Sequence, residues 1–278
     1  MERGLIRRVC AGAYVDAALP DTLETRTAAL ALVVPAGSVV CRSTAAWVHG
    51  VDALPSGSHE RVPDVEMAVP EGAAATRRPG VRAYVEQMSA DEVVHVNGVP
   101  VTTPVRTAAD LGRWLPRYHA IGVLDRFLRN GLVTRSQLRT EVDRWTGYRG
   151  VRQLRDLVEL ADGRSESPRE SWLRLLIIDS GFPDPVPQYE VPRGPGLVPY
   201  RLDLAWPDLM VAVEYDGAEA HGPAQAKRDA ARRRFLRQLG WSVIVVRRGD
   251  LERPDRAVLA IGQFVTPVRR PRRGAKAA

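Results

Sequence analysis

The sequence predicts an α/β chain, more closely α+β, whose two domains each mix short strands with helices. Three observations carry this. At 278 residues the chain is longer than one hydrophobic core comfortably fills. Apolar residues alternate with period two in short runs, at 65–69, 81–85, 201–206 and 210–216, and helical spacings separate those runs. A polar, glycine-containing stretch, Asp162–Gly163–Arg164–Ser165, lies between two helical patterns and marks the boundary. The expected division is therefore 1–162, 163–265 and a basic tail at 266–278.

Composition narrows the class. Hydrophobic residues make up 45% and charged residues 26%, as in a soluble globular protein. No apolar run reaches the ~18 residues of a membrane span, and the N-terminus lacks the continuous apolar stretch of a signal peptide. The cytoplasm is the expected location and no membrane partner is expected. Cys10 and Cys41 have neither metal-ligand spacing nor a disulfide framework, so both read as small buried thiols. Net charge is +7, and Lys227 and Lys276 are the only lysines. The remaining basic residues are arginines, whose planar fork suits phosphate.

In chain order, LIRRVCAGAYV at 5–15 ends in a strand-like Ala13–Tyr14–Val15. A helix follows over 22–32, with Asp21 as its expected N-cap and Pro35 and Gly37 ending it. Ser43 or Thr44 should cap a short helix over 45–50, and 55–63 reads as a loop. Strands are expected at 65–69 and 81–85. In VVHVNGVPV, 93–101, the Asn97–Gly98 pair marks a hairpin. Thr103–Pro104 leads into a helix through Leu115. The next helix, 118–129, puts Ile121, Leu124 and Leu128 on one face and stops at Asn130–Gly131. Thr134 should cap a helix over 135–145, and 151–161 forms another. Trp47 and His49 read as core and helix-end residues, and Arg106 as a structural ion-pair partner.

Three of these segments, Gly12–Val15 (GAYV), Arg42–Pro55 (RSTAAWVHGVDALP) and Gly98–Leu111 (GVPVTTPVRTAADL), resemble the AbiEi-like antitoxins, regulators of type IV toxin–antitoxin systems. The resemblance spans about the first 150 residues. It implies a regulator with a cognate toxin as partner. That family usually begins with a winged helix-turn-helix, of which only the wing-like RRVCAGAYV is expected here.

In the second half, Ser167 suits an N-cap, Pro168 the first helical position and Glu170 the third, which makes Ser167-x-x-Glu170 a capping box. Glu170 reads equally as a cap or as a site acid. Gly181 and Pro183 end that helix. Strands are expected at 188–191, 201–206 and 210–216, with a loop at 192–199 and a turn at Pro207–Asp208. A basic helix follows over 224–240, carrying Lys227, Arg228, Arg232, Arg233, Arg234 and Arg237, then a buried strand at 241–246 and a short helix over 256–264. The tail, TPVRRPRRGAKAA, reads as disordered.

The chemistry concentrates between Tyr200 and His221. Alternation puts Asp203 on one strand near Glu214 and Asp216 on the next, with His221 shortly after. Buried carboxylates that face one another repel, and a divalent cation relieves the repulsion. Magnesium accepts one or two carboxylates beside water and phosphate oxygens, and such an ion assists attack at phosphorus. His221 is placed to move a proton. A solvent-facing acidic hairpin explains the same spacing without a ligand. The basic helix beside the acids would hold a polyanion.

The whole stretch 166–255 resembles the restriction-endonuclease-like PD-(D/E)XK nucleases, in particular the very-short-patch-repair type. The matching segments are SPRE at 167–170, Gln188 before Val191, RLDLAWP at 201–207, VEYDGAEAH at 213–221, and the series Asp229, Arg232, Leu236, Gly240, Trp241. The resemblance implies a core of helix, three strands, helix and strand. It implies Mg²⁺ or Mn²⁺ held by Asp203, Glu214 and Glu170, with His221 assisting proton transfer. Asp216 stands where the general motif has a lysine. Two functions are thus expected. The first is a Mg²⁺-dependent DNA endonuclease or nickase hydrolysing phosphodiester bonds. The alternative is a non-catalytic DNA-binding regulator or antitoxin that uses the nuclease fold as a platform. A toxin-neutralising interaction module is a third.

Overall fold

The computed structural model describes residues 5–54, 62–72, 78–217 and 223–268, with backbone alone at 223–226. The chain forms two compact units, Met1–Ala161 and Asp162–Ala278. Both mix strands and helices, and the described residues hold three sheets and ten α-helices. None of those helices is long and apolar enough to cross a membrane.

The first unit opens with an antiparallel hairpin of β1 (Ile6–Cys10) and β2 (Ala13–Asp16). The sequence predicts only its second strand, because Arg7 and Arg8 break the apolar alternation of the first. Helix α1 (Leu23–Ala31) follows. Its cap is Thr22, whose hydroxyl accepts the Thr25 N–H at 3.2 Å. Asp21, the expected cap, instead pairs with Arg26 at 2.7 Å. Next come β3 (Val39–Val40) and α2 (Arg42–Val48). Neither Ser43 nor Thr44 caps α2, which starts earlier, after Cys41. Both serve Glu66 across the sheet: the Ser43 N–H donates to Glu66 Oε2 at 2.9 Å, and Thr44 Oγ1 accepts the Glu66 N–H at 2.9 Å.

Strands β4 (Val65–Val69), β5 (Val81–Val85), β6 (Val93–Val96) and β7 (Val99–Thr102) complete a five-stranded sheet in the order β5-β4-β3-β7-β6. Asn97 and Gly98 turn the β6–β7 hairpin with φ of 48° and 81°, as an Asn-Gly hairpin turn requires. Leu30, Val40, Met67 and Val101 are fully buried in this unit. Helices α3 (Pro104–Trp114), α4 (Arg117–Arg129), α5 (Arg135–Arg144) and α6 (Val151–Leu160) follow. Thr134 and Gln137 form a full capping box at the start of α5. The Ile121, Leu124, Phe127, Leu138, Leu154 and Leu157 side chains are buried among these helices. The turn before α6 lies tight against the end of α3. Gly150 has φ 82°, and a Cβ there would sit 2.5 Å from the Arg113 carbonyl oxygen. His49, at the end of α2, bonds through its ring to the Thr102 carbonyl at 2.8 Å, which fits the helix-end role.

The second unit runs α7 (Pro168–Asp179), β8 (Val186–Val191), β9 (Tyr200–Trp206), β10 (Val211–Asp216), α8 (Pro223–Gln238), β11 (Ser242–Arg247), α9 (Arg248–Leu251) and α10 (Pro254–Gly262). The sheet order is β11-β10-β9-β8. Strands β8, β9 and β10 pair antiparallel, and β11 returns through α8 to lie parallel to β10. A 3-10 turn, Pro207–Leu209, joins β9 to β10, with Met210 left-handed at φ 54°. Leu202, Ala205, Ala212, Leu236, Trp241 and Val191 form one buried cluster, with α8 contributing Leu236. The sequence gives no sign of α9, since its four residues are too short for a periodic signal. The tail from 269 onward lies outside the described residues.

Candidate acidic cluster and nucleic-acid interface

The cluster is built at the start of α7 and along β9 and β10. Ser167 caps α7 by accepting the Glu170 N–H at 3.2 Å. The reciprocal half of the expected box is absent. Glu170 reaches past Ser167, and its Oε2 accepts the Glu166 N–H at 2.9 Å and the Gln188 side-chain N–H at 2.8 Å. Gln188 presents that amide from a left-handed backbone, φ 52°, an unusual conformation for a non-glycine residue.

The β9–β10 ladder ends at the pair Val213–Leu204. One step beyond, Asp203 turns its carboxyl onto the backbone, where Oδ2 accepts the Tyr215 N–H at 2.8 Å. Burial pushes the Asp203 carboxyl up to about 7. The charges of Glu170 and Glu214 add to that shift, while the Tyr215 N–H and Arg232 oppose it. Burial also raises Glu214, against the attraction of Arg232. Asp203 therefore feels the other two carboxylates, as an acid flanked by acids should.

Arg232 closes the cluster. Its Nη1 donates to Glu214 Oε2 at 3.1 Å, and its Nη2 lies 2.5 Å from Oε1. Nη2 also donates to the Arg201 carbonyl at 2.5 Å. The sequence groups Arg232 with the DNA-facing arginines. It is turned inward instead, because it lies one helical turn before Leu236, which is fully buried. Lys227, Arg228, Arg233, Arg234 and Arg237 do face solvent. Among the described residues no three His, Cys, Asp or Glu side chains converge on a point where an ion would sit. Glu170, Asp203 and Glu214 are each held by a protein donor, Glu214 through Oε2; its Oε1 lies beside Arg232 Nη2, is buried and has no hydrogen-bond donor among the described residues. Asp216 ends β10 beside Arg247 of β11. His221 lies outside the described residues.

The first unit holds a buried charge network. Arg106 donates to Asp110 at 2.9 Å, Glu92 at 2.7 Å and Glu86 at 3.1 Å. Arg113 reaches Asp110 from the other side at 3.5 Å. The Trp145 ring centre lies 4.3 Å from the Arg106 guanidinium carbon and 3.7 Å from that of Arg113. Helical spacing marks Asp110 as a partner of Arg106 at i,i+4 and of Arg113 at i,i+3. Glu86 and Glu92 come from the segment between β5 and β6, and no local pattern links them to α3.

Residues 38–160 match the family described as AbiEi antitoxin C-terminal domain. The chain is 35% identical over 271 residues to a Mycobacterium tuberculosis protein of strain ATCC 25618 / H37Rv named Uncharacterized protein Rv2248, a match covering 97% of this chain and 96% of the relative. The same figures hold for Uncharacterized protein MT2308 of Mycobacterium tuberculosis strain CDC 1551 / Oshkosh. No solved structure matches the chain.

Proposed function

The chain belongs to one family with these two mycobacterial proteins and carries an AbiEi antitoxin C-terminal domain at 38–160, and from that premise we propose that it is a DNA-binding regulator or antitoxin of a type IV toxin–antitoxin-like system. It holds DNA without cutting it, and a toxin is its second partner.

The observation that carries the DNA-binding part is the division of labour along α8. Arg232 is engaged by Glu214, whereas Lys227, Arg228, Arg233, Arg234 and Arg237 face solvent. Arginines on one exposed helix release counterions when they meet a phosphate backbone, and they need no base contact to do so. The order helix, three strands, helix, strand supports reading the second unit as a nuclease-like platform. The inward Arg232 supports reading that platform as closed.

The test is a salt series of DNA binding by the full chain and by an Arg233→Gln/Arg234→Gln/Arg237→Gln variant. Each arginine–phosphate pairing removed should lower the slope of log K against log salt by about 0.9. The variant is therefore expected to bind at least about 10-fold more weakly at low salt, with a slope shallower by up to about 3. Equal affinity and equal slope would reject α8 as the DNA-binding helix.

A second reading, a Mg²⁺-dependent endonuclease, keeps one specific support: the influence of Glu170 and Glu214 on the Asp203 carboxyl. Plasmid nicking in Mg²⁺ against an EDTA control separates the two readings.

A further inference from the structure

We infer that the first unit carries a nucleotide site of its own, in which Arg42 and Arg149 take a phosphate and Trp114 takes the base. The site lies at the start of α2, the end of α3 and the turn before α6. It shares no residue with the acidic cluster or with α8, and it does not rest on the regulator reading.

Arg42 is the observation that carries it furthest. Its backbone is left-handed, with φ 51°, at the first residue of a helix. A long side chain seldom tolerates that conformation, and residues held there cluster at ligand sites. The conformation places the guanidinium carbon 3.4 Å from the Tyr84 ring centre and 5.1 Å from that of Trp114. Its nearest carboxylate is Glu86, at 3.9 Å, beyond hydrogen-bond distance. Glu86 is itself engaged by Arg106 at 3.1 Å. Arg42 Nε is buried and has no acceptor among the described residues. A buried donor without a partner is costly, which marks the Arg42 side chain as held in place for something other than folding.

The surroundings fit a ligand that is both anionic and flat. Trp114 keeps 37% of its surface exposed, although the guanidinium carbons of Arg42, Arg113 and Arg149 lie 5.1, 5.3 and 5.4 Å from its ring. Arg149 is exposed, and its backbone is pinned, since its carbonyl accepts the Arg113 Nε–H at 3.0 Å. Arg42, Arg106, Arg113 and Arg149 face Glu66, Glu86, Glu92 and Asp110, and of the four arginines Arg149 is the exposed one. Guanidinium forks bind phosphate oxygens in pairs, and an exposed indole stacks a base. A carboxylate peptide would use the charge and leave the indole without a partner. A nucleotide uses both. The nucleotide is either free or one unit of a strand.

The experiment is a titration of the full chain, followed by tryptophan emission, with 5′-AMP, with a short single-stranded oligodeoxyadenylate, and with inorganic phosphate as the probe that lacks a base. Saturable quenching by AMP or by the oligonucleotide is expected, and phosphate should not quench. Arg42→Asn removes the guanidinium while suiting the left-handed backbone, and Arg149→Gln alters only an exposed side chain. Both should weaken binding about 10-fold or more, Arg149→Gln with melting unchanged, and Trp114→Phe should abolish the quench. Similar affinity for both probes assigns a free nucleotide, and a preference for the oligonucleotide assigns a strand. The inference is overturned if neither probe quenches. It is equally overturned if Arg42→Asn and Arg149→Gln bind like the native chain, or if the α8 triple variant loses binding that Arg42→Asn retains.

Discussion

Arg106→Ala is expected to cost the first unit about 3–5 kcal/mol at pH 8, the usual penalty for removing one partner of a buried ion pair. Arg106 is 3% exposed and answers three carboxylates, of which Asp110 is 0% exposed. Without it those carboxylates stay in the interior facing only Arg113 and Arg42. A loss of that size is a large fraction of a domain's ~5–15 kcal/mol, so the unit should melt far earlier. The penalty should shrink on acidification. Burial already holds the Asp110 carboxyl up to about 6 in the native chain. Its folded form binds the proton more tightly than the unfolded chain does. Asp110 therefore subtracts stability as pH rises from about 4 to about 6. Losing Arg106 removes an interaction that lowers this carboxyl and pushes the window higher. Thermal unfolding of Arg106→Ala and native chain at pH 5 and pH 8 measures this, and a penalty that does not change with pH would contradict the network's role.

Asp203→Asn is expected to stabilise the second unit at pH 8 and to do so by only about a third as much at pH 5. The folded Asp203 carboxyl lies up to about 7, against about 3.9 for an unfolded aspartate. The native state therefore holds more protons between those values, and stability falls as pH rises through that window. Above it the ionised Asp203 carries the full cost. A carboxyl raised that far costs at most about 4 kcal/mol when ionised. Asp203 is only partly buried, so a gain of about 2 kcal/mol is expected. An asparagine oxygen still accepts the Tyr215 N–H, and the repulsion with Glu170 and Glu214 is gone. Denaturant titrations at the two pH values would show the difference, and an equal effect at both would sink the assignment. A stability gain on removing a carboxylate also marks a site kept for something other than folding.

Local signals in the sequence are legible where a few neighbouring residues decide the backbone. The Asn97–Gly98 turn, the Thr134 cap and the alternation in β4, β5, β9 and β10 all appear in the fold where the sequence places them. Sequence and structure part where a distant partner decides. Ser43 and Thr44 look like caps until Glu66, on another strand, takes both. Glu170 looks like the second half of a capping box until Gln188 and Glu166 compete for it. Arg232 is one of a run of arginines in sequence, and only the packing of α8 through Leu236 turns it towards Glu214. Arg42 gives no signal at all, since its left-handed backbone and its place between Tyr84 and Trp114 depend on three separate elements.

The central claim, that this chain grips DNA without cutting it, is tested most directly with supercoiled plasmid. Full-length protein is incubated with plasmid in Mg²⁺, in Mn²⁺ and in EDTA, and each mixture is run both for gel retardation and, after removing protein, for nicking. The expected result is salt-sensitive retardation in all three, with no more open-circular plasmid in metal than in EDTA. Metal-dependent nicking that disappears in both Asp203→Ala and Glu214→Ala would contradict the claim and establish the nuclease reading instead.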